Sequence, residues 1–179
     1  MQLAVAKAQF EIIHPFFDGN ARIGRMLIPL FLFAKELLSS PIFYLSAYLE
    51  RNREVYYQGL QAVSQDSDWN GWIVSFLFAV LKQAKANYQK TRKILELYDR
   101  MKQIVPTFIR SQYTIQAIDW PVFQTTDFIR RSGIPKDSAR RILEVLGKNG
   151  IIRELRSGKG RRASILMFPE LISITEELD

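Results

Sequence analysis

Apolar residues Leu3, Val5, Ala6, Phe10, Ile12 and Ile13 predict a mostly buried helix over 3–13, entered at Met1 without a capping residue. Gly19-Asn20 breaks the pattern and opens a second helix, 20–38. It is apolar nearly all round and therefore expected at the centre of a core. Pro29 within it cannot donate to the Arg25 carbonyl, which predicts a kink, and Ser39-Ser40-Pro41 ends it. A short segment near 46–50 leads to a helix at 50–64 with Val55, Tyr56, Leu60 and Val63 at helical spacing. Gln65 to Ser67 is a polar turn. Asp68 caps a helix over 69–88 that turns Trp72, Phe76, Ala79 and Val80 inward. Residues 89–105 continue helically with alternating charges, as an exposed connector, until Pro106 breaks the run.

A second pattern follows. A helix near 107–118 ends at Asp119-Trp120-Pro121, a short helix at 126–132 stops at Gly133, and Ile134-Pro135 turns the chain. Lys136 to Lys148 is a helix with Ala139, Ile142, Leu143 and Leu146 inward. Strands at 151–155 and 164–168 flank a basic, glycine-containing tip at 156–162. Helix, helix, turn, helix and β-hairpin make a winged helix-turn-helix plan. The predicted fold class is therefore mainly α: a helical unit over 1–105, then a winged helix-turn-helix with a small β-hairpin over 106–179.

Composition narrows the chemistry. Of 179 residues 47% are apolar, ample for a core, but no apolar run is long enough to span a membrane, and none has the form of a secretory signal. A cytoplasmic location is the expectation. With no cysteine there are neither disulfides nor thiolate metal sites, and a single histidine argues against zinc. The net charge of +7 is unevenly spread. Between Arg130 and Arg162 stand 11 Lys/Arg against 3 Asp/Glu; beyond Arg162 there are four acids and no base. That surplus lies on the recognition helix and wing, the footprint expected for contact with a phosphate backbone. Lys136, Ser138, Arg140 and Arg141 would face a major groove, and Lys159, Arg161 and Arg162 would lie against the backbone. Winged helices also serve as protein-docking and dimerisation modules, and the charge alone does not separate these uses.

The densest chemistry lies between His14 and Arg25: His-Pro-Phe-Phe-Asp-Gly-Asn-Ala-Arg-Ile-Gly-Arg. Unpaired N–H groups at a helix start form an anion site, and Arg22 and Arg25, at i and i+3, share a helix face. His14 is a candidate base for an attacking hydroxyl, and Asp18 a hard oxygen ligand for Mg²⁺. Such a set suits phosphoryl or nucleotidyl transfer, with cradle and arginines neutralising developing charge. Taken singly, each residue has a plainer reading: a histidine before proline in a loop, an Asp-Gly turn, two arginines on a solvated face. Only the joint spacing favours chemistry.

The pattern His-Pro-Phe-x-Asp-Gly-Asn-x-Arg-x-x-Arg resembles the signature of Fic-domain proteins. The resemblance continues through Leu-Ile-Pro-Leu-Phe-Leu at 27–32, Tyr-Leu-Ser-Ala-Tyr-Leu-Glu-Arg-Asn-Arg at 44–53, Tyr56-Tyr57 and Leu60-Gln61-Ala62-Val63, to about Gln83. It implies transfer of AMP from Mg-ATP to a hydroxyl side chain of a target protein. It implies His14 as base, Asp18 as magnesium ligand, Gly19, Asn20, Ala21 and Arg22 around the phosphates, Arg25 at the terminal phosphate, and Tyr56 and Tyr57 beside the nucleotide. The family usually has glycine at the position of Ala21. A left-handed backbone there would cost alanine roughly 1–2 kcal/mol, whereas helical angles would keep its N–H on the phosphates. Several helices, a substrate-positioning hairpin and often an inhibitory helix precede this point in the family. The chain therefore reads as a partial Fic core, the C-terminal part of a longer protein with weak or no catalysis alone. The second unit resembles the winged-helix domain that follows the Fic core in one bacterial subgroup.

Three functional classes follow: an adenylyltransferase with ATP and Mg²⁺ as cofactors and a protein as substrate; a DNA-binding regulator with a degenerate Fic core; and an interaction scaffold, including a homodimer, whose missing helices a partner chain supplies.

Overall fold

The computed structural model describes residues 1–109, 120–159 and 162–176. The regular elements of the described residues are helices and one small antiparallel sheet, the mainly α architecture that the patterning predicts. They divide into two compact units, Met1–Tyr88 and Gln89–Asp179, each with its own core.

In the first unit, α1 (Gln2–Ile13) packs Leu3, Ala4 and Ala8 against Ile28 of α2 (Asn20–Ala34), Val63 of α4 (Arg53–Asp66) and Trp72, Phe76 and Ala79 of α5 (Trp69–Phe108). The short α3 (Ser46–Arg51) precedes α4, and Asn52 between them donates its side-chain amide to the Tyr48 carbonyl at 2.9 Å. Asp68 caps α5 as expected, accepting from Gly71 N–H at 2.9 Å. The indole N–H of Trp72 donates to the Ala4 carbonyl at 2.7 Å, tying α5 to α1. Two expectations for α2 change. It ends at Ala34, because Glu36 takes a left-handed φ of 57° and Leu37 N–H returns to the Leu32 carbonyl at 2.9 Å. Nor is it enclosed all round: Ile28 and Pro29 are buried, while Met26, Leu30 and Phe33 are exposed.

In the second unit, residues 89–105 are not an exposed connector. Leu97, Met101 and Val105 are buried with Phe123, Phe128, Ile142 and Leu146, so the apolar side of an otherwise charged helix belongs to this core rather than to the first. That packing sets the contact boundary at 88/89 instead of 105/106. Pro106 does not break the helix either. α5 runs on to Phe108, with Ile109 N–H reaching the Val105 carbonyl at 3.1 Å and Thr107 Oγ1 donating to the Ile104 carbonyl at 2.6 Å. The helix expected over 107–118 lies outside the described residues beyond 109.

α6 (Thr125–Arg131) and α7 (Lys136–Lys148) follow, and α7 buries Ala139, Ile142, Leu143 and Leu146 as its amphipathic spacing predicts. The hairpin strands are shorter than expected, β2 (Arg153–Arg156) and β3 (Ile165–Met167). A third strand, β1 (Val122–Gln124), pairs antiparallel with β3 on its other side, giving the order β1-β3-β2. α8 (Pro169–Glu176) closes the described chain, its Glu170 ion-paired with Arg100.

Candidate functional site

The turn between α1 and α2 is built by its own residues. His14 ends α1 in the left-handed region (φ 49°, ψ 58°), its N–H on the Phe10 carbonyl. Gly19, at φ 82°, is the N-cap of α2, a geometry that costs glycine nothing. Asn20 is buried and clamps the loop at both polar groups of Phe16: its side-chain oxygen accepts from Phe16 N–H at 3.0 Å and its amide donates to the Phe16 carbonyl. Asp18 accepts from Gly19 N–H at 2.7 Å through one carboxylate oxygen and faces Arg22 at 3.4 Å through the other. The first α-helical bond of α2 is Ile23 N–H to the Gly19 carbonyl, so the N–H groups of Asn20, Ala21 and Arg22 have no helical acceptor. Ala21 lies in α2 without positive φ, so its N–H keeps the direction that an anion cradle needs and its methyl imposes no backbone strain.

A cavity of about 610 Å³ adjoins this helix start. α1 contributes Lys7 and Glu11, α2 Ala21 and Arg25, and the α3–α4 segment Glu50, Arg53, Tyr56 and Tyr57. Arg22 and Arg25 thus take different places: Arg22 pairs with Asp18, while Arg25 lines the cavity with the two tyrosines expected at the nucleotide. The His14 ring is exposed and makes no hydrogen bond to Asp18, Arg22 or Arg25.

Lys7 and Glu11 went unmarked in the sequence, although their i, i+4 spacing on α1 signals a pair. Lys7 is 2% exposed and ion-paired with Glu11. Burial pushes its ammonium below the ordinary lysine range, against the pull of Glu11. Burial, reinforced by Glu11, pushes the Tyr56 phenol well above its usual value, so Tyr56 remains a neutral hydroxyl. Gly24 sits against the pair; a Cβ there would collide with the Glu11 carboxylate and the Lys7 ammonium.

No group of three or more candidate metal ligands forms among the described residues. Asp18 alone, exposed beside the N–H cradle, fits Mg²⁺ of the kind that keeps its waters and is held jointly with substrate phosphates.

In the second unit, Lys136 and Arg140 share with Arg130, Thr125 and Thr126 a cleft of about 470 Å³ between α6 and α7. Ser138 and Arg141 are exposed on α7 outside that cleft. Lys159 and Arg162 are exposed and form an isolated antiparallel bridge between β2 and β3; Arg161 lies outside the described residues.

Among known families, residues 1–32 match the Fic/DOC family. The match takes in α1, the turn with His14, Asp18 and Gly19, and α2 as far as Leu32, the same elements that form the N–H cradle and one wall of the cavity.

Proposed function

We propose that the first unit binds the phosphates of Mg-ATP as a Fic-type nucleotidyltransferase and moves AMP to a hydroxyl side chain of a target protein. One observation carries this reading. A glycine-capped helix start with three free N–H groups, held rigid by Asn20, opens beside a cavity containing Arg25, Tyr56 and Tyr57. Asn20, Ala21 and Arg22 N–H groups stabilise charge developing on the α-phosphate, and Arg25 engages the phosphates beyond it. Asp18 would hold Mg²⁺, which would supply positive charge against the phosphates. His14 takes the proton from the target hydroxyl as its oxygen bonds to the α-phosphorus; the anhydride bond to the β-phosphate breaks and pyrophosphate leaves with the electron pair.

The test is incubation of the protein and its His14→Ala variant with Mg²⁺, α-labelled ATP and cell lysate. Label should pass to protein with the parent chain and fall by a factor of about 10²–10⁴ with H14A, the usual worth of a positioned base, while ATP binding persists. Equal labelling by both rejects His14 as the base.

A second reading concerns the other unit. The cleft carrying Arg130, Lys136 and Arg140, with Lys159 and Arg162 on the wing, supports non-specific contact with duplex DNA.

A further inference from the structure

We infer that Arg53 is a second phosphate-reading guanidinium, and that with Arg25 it makes the cavity select nucleotides by the length of their phosphate tail. This rests on the nucleotide reading above and adds to it a residue of α4 that the His14–Arg25 motif does not contain. Arg25 reaches the cavity from α2 and Arg53 from α4, so the two cations are held on separate elements. Among the described residues neither makes a hydrogen bond or ion pair. Lys7, in contrast, is already neutralised by Glu11. The positive charge left for an anion therefore resides in the two arginines, opposed only by Glu50.

The Arg53 guanidinium lies 5.5 Å from the centre of the Tyr57 ring, a cation–π contact that leaves its N–H donors unused. A planar guanidinium fork matches a phosphate in two-point fashion, where an ammonium would act as a point charge. Along α2, Arg25 lies four positions after Ala21, at the cradle, about 6 Å of helix rise. A triphosphate extends from the cradle to the arginines and a monophosphate stays behind at the cradle. Arg53 accordingly distinguishes ATP from AMP rather than one base from another.

Titration calorimetry with Mg²⁺ and ATP, ADP or AMP tests this on the parent protein, Arg53→Gln, Arg53→Lys and Glu50→Gln. R53Q should weaken ATP about tenfold or more, the loss of one charge-assisted contact, and leave AMP within about twofold. R53K should recover only part of the loss, and E50Q should tighten ATP. Equal loss of ATP and AMP in R53Q, or unchanged ATP affinity, overturns the role of Arg53 while the nucleotide site stands. Failure of the parent protein to bind any of the three nucleotides overturns the nucleotide reading and this inference together.

Discussion

Lys7 and Glu11 show how one buried pair shapes the first unit. An ammonium withdrawn from water costs several kcal/mol unless a counter-charge lies beside it, and Glu11 is that counter-charge. Removing it should hurt more than removing the lysine. We expect Glu11→Gln to destabilise the unit by about 3–5 kcal/mol, Lys7→Met to destabilise it by less because the carboxylate it leaves is 13% exposed, and the paired change Lys7→Met, Glu11→Gln to lie nearest to neutral, measured by urea unfolding. The pH dependence has a definite sign. Burial lowers the Lys7 pKa in the folded state, so from that value up to the ordinary 10.5 the unfolded chain binds the extra proton. Stability therefore rises with pH across that window, and the cost of the buried charge is fully present below it. K7M should flatten this alkaline rise; a rise undiminished in K7M removes Lys7 as its source. The neighbouring Asn20 was legible as a helix-start residue, but its two-way clamp on Phe16 was not, since nothing in sequence spacing shows which way a buried amide points.

At the level of elements, amphipathic spacing identifies the buried face where it is strong and fails to where competing signals stand close. The inward residues of α7 are those that its 3.6-residue period picks out. Pro106 looked like a stop because proline removes a helical donor, yet burial of Val105 beside it and the Thr107 hydroxyl bond keep the helix intact. β1 has only three residues and pairs only through β3, so no local pattern announces it. The Trp72–Ala4 hydrogen bond is likewise a link between elements 68 residues apart. Trp72 is 2% exposed, so replacing it with phenylalanine leaves the Ala4 carbonyl without its donor. We expect Trp72→Phe to cost about 1–3 kcal/mol, read as a lower denaturant midpoint. An unshifted midpoint would show that the bond adds nothing net.

Across the whole chain, two cores and one uneven charge distribution divide the work. The first unit carries the His14–Arg25 turn and the cavity; the second carries the basic residues of α7 and of the β2–β3 hairpin. The motif and the basic surplus are both legible in the sequence, because motif spacing and charge counts survive any error in element boundaries. The boundary at 88/89 was not visible, because the charges between Lys90 and Lys102 masked the buried Leu97 and Met101. If Lys136 and Arg140 meet DNA phosphates, each releases a condensed counterion on binding. Duplex affinity should then fall linearly with salt on a double-logarithmic plot. The paired change Lys136→Gln, Arg140→Gln should make that slope shallower by about 2, with all duplex sequences weakened alike and no dependence on ATP. Fluorescence anisotropy over a salt series decides it. A slope that the double variant leaves unchanged places those two side chains away from the phosphate backbone, since each cation in contact with a phosphate must contribute its share to the salt dependence.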